Sequence, residues 1–493
     1  MTLSLPHKAA AGLTLVAPLL AAALLAGCAV GPDYKGPSNA APLSTAAGQF
    51  HRAGVAPVTD APPPARWWEG LDDPALTRLV DRALAASPTI AQAQARVRAA
   101  RATLDQQRAK QLPSGGATGL AAFTEIPSGL LGQGGSSLDL YSLGFDASWE
   151  LDIFGGTRRA VEAQGAQAGV AEAQLADAQV ELAAEVAQAY VNLRDVQARL
   201  ALSTASADIE RQMLDLTRQR RAAGTAGEAD VEQFSAQLSQ TEAQRMDLTG
   251  QVERTVDQLS MLTGAEPGAL DAELAATAQV PTPPVQTPVG DPAGLLRRRP
   301  DIRTAERRLA ASNAQIGQNV AQLFPKVSLL GTVGYSAVNG AGLPSGVNLA
   351  SMAAPYLSWN ILSYPRIEGE IREAKANHQA AEAEYRASVL SALQDAEAAL
   401  SRYGRQRQSL AALADADASA TRAAALARQR YEAGTVSLID ALDAERQRLQ
   451  AEQSLAQAKA ALTNDYVALQ KSLGLGWDAP ASPKLAAADL RQR

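Results

Sequence analysis

The thirteen residues RQRRAAGTAGEAD, Arg218–Asp230, recur as RQRYEAGTVSLID, Arg428–Asp440, with seven positions identical at an offset of 210. A repeat of so long a period constrains the fold before any local pattern does, because both copies must build the same structure. The correspondence extends along the chain. At an offset of 212, Pro88 maps on Pro300, Ile90 on Ile302, Leu104 on Ile316 and Pro113 on Pro325. At 210, Trp149 maps on Trp359, Phe154 on Tyr364, Glu172 on Glu382 and Gly224 on Gly434. The change of offset falls between Pro113 and Trp149, where a loop absorbs two residues. The repeats, 70–264 and 293–474, flank a Pro-rich linker, 265–292, and a tail follows at 475–493. Two copies are too few for a solenoid and imply one pseudo-symmetric fold.

Each repeat runs through the same elements. A helix comes first and should be stopped by Pro113 or Pro325. A β-hairpin follows, over 114–151 and 326–361. In YSLGFDASW the odd positions Tyr141, Leu143, Phe145, Ala147 and Trp149 are apolar and the even ones small or polar, the period of a strand with one dry face. VSLLGTVGYSA alternates similarly, and ATGLAAFTEI and NLASMAAPYLSW supply weaker partners, giving four strands in all. The long stretches 156–223 and 366–433 contain no proline. Each would make a helix of about 100 Å at about 1.5 Å per residue. Val186, Tyr190, Leu193, Val196 and Leu200 in one copy, and Val389, Leu393, Ala396, Leu400, Tyr403 and Leu410 in the other, step by three and four as a coiled-coil seam does. Return helices are expected at 226–263 and 436–473. The repeated phrase is therefore the tip of a helical hairpin. Gly224 and Gly434 supply the turn, and Thr225-x-x-Glu228 and Ser437-x-x-Asp440 are expected to be capping boxes that restart the helix.

Residues 1–27 hold one lysine and no acid, and from Gly12 they are almost wholly apolar, which is the pattern of an export signal. The stretch ends Leu25-Ala26-Gly27-Cys28 and resembles a lipobox, so Cys28, the only cysteine of the chain, is expected to be the lipidated (palmitate-bearing) first residue of a segment 28–69. No disulfide is then possible. In bacterial lipoproteins generally, Ala29 rather than aspartate after the cysteine points to the outer membrane. Without 1–27 the chain carries 44 Lys+Arg against 51 Asp+Glu, which disfavours nucleic acid. His51 and His378 are far apart, and there is no phosphate-cradling loop, nucleophile elbow or His/Cys cluster, so no catalytic residue, metal or cofactor is expected. Trp67 and Trp68 are expected to pack against the helical body. Tyr141, Trp149, Tyr335 and Trp359 suit either the interfacial belt of a barrel or, for the tryptophans, the sheet-to-helix junction.

After the signal no run of 18 apolar residues occurs, so no helix crosses a membrane. The amphipathic strands are long enough to do so, but four cannot close a barrel, and an open sheet in lipid leaves edge groups unpaired at several kcal/mol each. The chain must pool strands with its own copies: two give eight strands and three give twelve, and the pattern alone does not choose.

SWELDIFGGTRR resembles the W-E-L-D-x-F-G motif of the outer-membrane efflux lipoproteins, the OprM and NodT branch of the TolC family. RRRPDIRTAERRLAASNAQIG, LFPKVSLLGTVGY and RWWEGLDDPALTRLV are similar to further motifs of that branch, and the resemblance covers nearly the whole chain beyond the signal. It implies a mainly α fold with membrane β: a homotrimer forming a twelve-stranded β-barrel in the outer membrane, continuous with a long periplasmic α-helical barrel. It also implies a passive exit duct for drugs or other small molecules, serving an inner-membrane RND transporter through a periplasmic adaptor. The adaptor contact would fall on the tips, Gly224-Thr225 and Gly434-Thr435. Aspartates past the second tip would line a periplasmic gate; the matching residues are Asp440 and Asp443, with Asp440 equally explained as a helix cap. Rings of three such carboxylates would favour cations and raise one another's pKa. Asp230, the first-repeat echo of Asp440, is expected to be a cap or a tip contact. Two departures stand out: Pro365 where the family has a glycine before the arginine, and Val436 where some relatives carry an arginine. A lipid-anchored periplasmic scaffold or adaptor is the alternative from another class, and a protein-secretion or metal-ion efflux duct the alternative within this one.

Overall fold

The computed structural model describes residues 29–126, 136–338 and 348–477. The first repeat consists of α1 (Pro74–Ala86), α2 (Pro88–Ala109), β1 (Ser114–Ile126), β2 (Ser136–Leu151), α3 (Gly156–Ala222) and α4 (Glu228–Leu262). The second repeats the order with α5 (Pro292–Arg298), α6 (Pro300–Ala321), β3 (Lys326–Val338), β4 (Asn348–Ser358), α7 (Tyr364–Glu432) and α8 (Leu438–Ser472). Among the described residues no helix is long and apolar enough to cross a membrane. The chain divides into two compact units, and α3 and α7 contribute to both.

One unit holds 29–38, 96–171 and 304–385 among the described residues. Its centre is an antiparallel sheet in the order β1-β2-β3-β4. The hairpins have the same register: Ser114 pairs with Ser148 in one and Lys326 with Ser358 in the other, the same pair carried by the offsets of 212 and 210. The helices before β1 and β3 stop at Ala109 and Ala321, four residues short of Pro113 and Pro325, and each ends in a turn whose carbonyl is captured by a tryptophan. Trp149 Nε1 donates to the carbonyl of Gln111 and Trp359 Nε1 to that of Leu323, both at 2.9 Å. The two tryptophans therefore tie strand to helix at the junction. α6 buries Leu309, Ala310, Ala311, Ala314 and Ile316, small residues that allow close approach.

The turns into α3 and α7 differ. Gly155 takes φ +78°, and the Asp152 carboxylate accepts from the amides of Thr157 (2.9 Å) and Arg158 (2.7 Å) at the start of α3. The corresponding residue before α7 is Pro365, whose ring fixes φ near −65° and forbids that turn. The chain instead enters α7 through a 3-10 turn, Ile361–Ser363, with no positive φ, and proline sits in the first helical turn, where its missing N–H costs nothing.

The other unit holds 39–95, 172–303 and 386–477 among the described residues. Val186, Tyr190, Leu193 and Val196 of α3 are buried, as are Val389, Leu393, Ala396, Leu400 and Tyr403 of α7, while Leu200 and Leu410 are half-buried where the seam runs out. Trp67 and Trp68 are each 1% exposed. Trp67 packs edge-on against Trp68 and Tyr466, at 5.7 and 5.9 Å between ring centroids, so the pair is core and not a membrane anchor. Asp73 caps α1 through the amides of Ala75 and Leu76 and also accepts from the Tyr190 hydroxyl at 2.7 Å, pinning α1 to α3.

The RRRPDI motif explains itself here. Arg299 grips Asp301 with two bonds of 3.0 and 2.7 Å, reaches Asp395 at 3.3 Å and donates to the carbonyl of Ser472 at the end of α8 at 2.9 Å. Such a fork binds planar acceptors in a way lysine cannot. Asp177 of α3 lies in the same cleft. Burial pushes its carboxyl up to about 6, helped by Glu181 and Asp301 and opposed by Arg299 and Lys471. With the folded pKa above the unfolded value, Asp177 costs stability progressively as pH rises from about 4 to about 6, and the cost stays constant above that. Asp177→Asn should therefore raise the melting temperature by about 2–4 °C at pH 7.5, measured by circular dichroism in detergent. The gain should vanish near pH 4; an equal gain at both pH values refutes the assignment.

Candidate functional site

The sheet has two unlike faces. The register places Ala117, Gly119, Ala121 and Phe123 of β1, Leu143, Phe145, Ala147 and Trp149 of β2, Leu329, Gly331, Val333 and Tyr335 of β3, and Leu349, Ala353, Pro355 and Leu357 of β4 on one side. Ser351 of β4 is the polar exception in that stretch, and Leu143, Phe145, Tyr335 and Leu357 on this face are exposed. The other face carries Thr118, Ser142, Asp146, Ser148, Glu150, Ser328, Thr332 and Ser336, with Thr118 donating to Asp146 and Lys326 pairing with Glu150 at 3.3 Å. The outer edges of β1 and β4 pair with no strand among the described residues.

Cys28 lies outside the described residues, but the segment after it is held firmly. Val30 N–H donates to the Phe154 carbonyl at 3.1 Å, and the Asn313 side chain donates to the Pro32 carbonyl at 2.9 Å. Arg159, 5% exposed, donates to the carbonyls of Val30 and Gly31 and pairs with Asp33 at 2.6 Å and Glu162 at 2.8 Å. Its guanidinium holds the Asp33 carboxyl below the usual range. Gly31 takes φ +90° and lies so close to Gly317 that a Cβ on Gly31 would fall 2.4 Å from the Gly317 Cα. Gly155 is restricted in the same way by Ala29, 2.6 Å from its notional Cβ. Sequence reasoning missed this clamp, although a signal existed. Arg159 corresponds to Gly369 and Gly317 to Asp105, so the repeats disagree where the N-terminal segment, present once, must bind.

The hairpin tips repeat bond for bond. Gly224 and Gly434 adopt φ +74° and +70° with nothing within 4 Å of a notional Cβ, so glycine is required by conformation and not by space. The amide and hydroxyl of Thr225 both donate to the Arg220 carbonyl, at 2.9 and 3.0 Å. Thr435 does the same to Arg430, at the same distances. The helices restart at equivalent positions, Gly227 and Ser437, but the side-chain caps differ. The expected box Ser437–Asp440 is present: the Ser437 N–H reaches Asp440 Oδ2 at 3.1 Å, and Asp440 N–H reaches Ser437 Oγ at 3.2 Å. The expected box Thr225–Glu228 is not. Gly227 is the N-cap of α4, its N–H donating to Asp230 at 3.0 Å, because the Thr225 hydroxyl is already committed to closing α3. Glu228 instead forms an ion pair with Arg221 across the turn.

Past the second tip, Asp440 and Asp443 have different partners. The Ser437 hydroxyl and amide hold the Asp440 carboxyl below its ordinary range. Asp443 pairs with Arg446 at 2.8 Å and accepts from the Gln447 side chain at 2.8 Å. Among the described residues no cluster of three or more His, Cys, Asp or Glu is arranged to hold a metal.

Against known proteins, the outer membrane efflux protein family matches residues 79–265 and 292–475. Nodulation protein T of Rhizobium leguminosarum bv. viciae is 31% identical over 94% of this chain and 94% of its own length. The toluene efflux pump outer membrane protein TtgI of Pseudomonas putida is 31% identical over 93% of this chain and 98% of its own. Among solved structures, the outer-membrane channel OprN superposes with a TM-score of 0.83 at 36% identity, covering 91% of this chain and 100% of that one. The chain therefore belongs to the outer membrane efflux protein family: it is a transport conduit of the bacterial outer membrane, extending into the periplasm, and not an enzyme.

Proposed function

We propose that three copies pool their strands into one twelve-stranded barrel in the outer membrane, and that their helices prolong it as a periplasmic duct. The observation that carries this reading is the four-stranded sheet with an exposed apolar face and two unpaired edges. Membrane barrels need about eight strands or more, so four strands per chain require copies. In this reading the duct is the passive exit of a tripartite pump. An inner-membrane RND transporter selects drugs or other small molecules, and a periplasmic adaptor meets the tips at Gly224-Thr225 and Gly434-Thr435. The efflux role named for TtgI supports small-molecule cargo. Outer-membrane extracts run on a gel before and after boiling should show a band of three chains that collapses to one. A monomer that stays in solution once its acyl chains are removed would overturn the proposal.

Cys28 is the proposed lipid anchor. The clamp at residues 30–33 supports it, because the segment is fixed at the inner end of the sheet, beside the turn at Phe154-Gly155. In a barrel built on this sheet, an anchor one residue before Ala29 would need no long tether. Intact-mass analysis of the mature chain should give an N-terminal Cys28 carrying a diacylglyceryl thioether and an N-acyl chain. An unmodified thiol there would sink the anchor.

Asp443 and Asp440 are the proposed gate carboxylates, each a ring of three about the trimer axis. Mutual repulsion would work against the Ser437 contacts that hold Asp440 ionised, whereas Asp443 carries its own counter-charge in Arg446. Asp443→Ala removes the point that Arg446 and Gln447 grip, and should raise single-channel cation conductance in planar bilayers. Unchanged conductance and selectivity would remove Asp443 from the gate.

A further inference from the structure

We infer the strand register at which one copy meets the next, together with the aromatic contact beneath that seam. The inference rests on the trimer proposed above and follows from the duplication. An offset of 210 carries β2 onto β4, and an offset of 212 carries β1 onto β3. The rule reproduces the observed hairpin registers, so applying it to the β2–β3 ladder gives the one ladder absent from a single chain, β4 against β1 of the next copy. Phe145↔Val333 becomes Pro355↔Ala121, Gly144↔Gly334 becomes Ala354↔Ala122, and Asp146↔Thr332 becomes Tyr356↔Leu120.

Two independent observations agree with this register. On the face that carries Thr118 and Asp146, Leu120 of β1 and Met352 and Tyr356 of β4 are exposed large side chains on the two edge strands. Leu120 and Tyr356 are 52% and 55% exposed in the single chain, at opposite edges, and the carried register sets them directly against each other. The second lies below the sheet. Phe154 stacks on Phe324 within the chain, with ring centroids 4.6 Å apart. The offsets turn this pair into Tyr364 and Leu112 of the next copy, which are 57% and 66% exposed. Each is an apolar surface waiting for the partner its counterpart already has.

The chemistry of the two seams also differs in a consistent way. Within the chain the β2–β3 seam carries Glu150 and Lys326 as an ion pair and Asp146 opposite Thr332. The carried seam replaces these with Asn360 and Ser114, and with Tyr356 and Leu120. Between Asn360–Ser114 and Tyr356–Leu120, copies can therefore dock without stripping water from charged groups, a step whose cost can exceed the pairing energy.

Paired cysteines test the register, because directly opposed residues lie about 4.5–5.5 Å apart and diagonal ones about 7–8 Å, while a disulfide needs about 4.4–6.8 Å between Cα atoms. Ala122→Cys with Ala354→Cys, a change of little volume at either site, should give a reducible covalent trimer on mild oxidation of outer-membrane preparations. Leu120→Cys with Tyr356→Cys should do the same. Ala122→Cys with Met352→Cys or with Tyr356→Cys, one step off register, should cross-link on the order of tenfold less. Each single variant should give none, which also excludes Cys28 as the partner. A maximum at an off-register pair, or no cross-link in protein that still sizes as a trimer, overturns the register. Protein that sizes as a monomer without any engineered cysteine overturns the trimer itself.

Discussion

A backbone group in hydrocarbon must find its hydrogen-bond partner within the protein, and that requirement organises this chain. Helices satisfy it internally, but among the described residues none is long and apolar enough to use the option. Among the described residues the sheet satisfies it everywhere except along the outer edges of β1 and β4, where alternate amides and carbonyls face outward. A protein of the outer membrane cannot leave those edges bare, and four strands are too few to curl shut. In the trimer we propose, closure comes from identical neighbours. The internal duplication makes this simple, since a surface that already joins β2 to β3 needs only a near-copy to join β4 to β1.

The same duplication shows where function departs from symmetry. The hairpin tips, the junction tryptophans and the strand registers repeat almost without change, and each is a backbone requirement that both copies share. The clamp around Arg159 does not repeat, because there is one N-terminal segment per chain and two junctions. At the occupied junction, Gly155 provides both a positive φ and room for Ala29. At the other, Pro365 fills the corresponding position and the chain turns through a 3-10 step. With no segment to accommodate there, a glycine is not needed.

Much of this was legible beforehand because it is local and periodic. Alternation in YSLGFDASW located β2, steps of three and four marked the buried seam from Val186 to Tyr403, and Ser437-x-x-Asp440 marked a helix start. What escaped were contacts between residues distant in sequence, and competitions that a motif does not display. Arg159 and Val30 are 129 positions apart, and the one trace of their contact in the sequence is the disagreement of the repeats at Arg159 and Gly317. Thr225 matched a capping box as well as Ser437 did, but its hydroxyl was already spent on closing α3, leaving Gly227 to cap α4. Nothing in the sequence marks Asp177, since its raised pKa comes from burial in the fold, helped by Glu181 and Asp301.

The two aspartates past the second tip show how neighbours sort residues of equal charge. Asp440 is fastened to backbone: its carboxylate accepts from the Ser437 amide, and its own amide is held by the Ser437 hydroxyl. Turning it toward anything else would uncap α8, at a cost of about 1 kcal/mol. Among the described residues, Asp443 is held by the side chains of Arg446 and Gln447 on its own helix. Pairs of that kind contribute about 0.3–0.5 kcal/mol, so they can be exchanged for other partners at little cost. In the gate we propose, Asp440 fixes where the helix begins, while Asp443 is the charge free to change partners when the constriction widens.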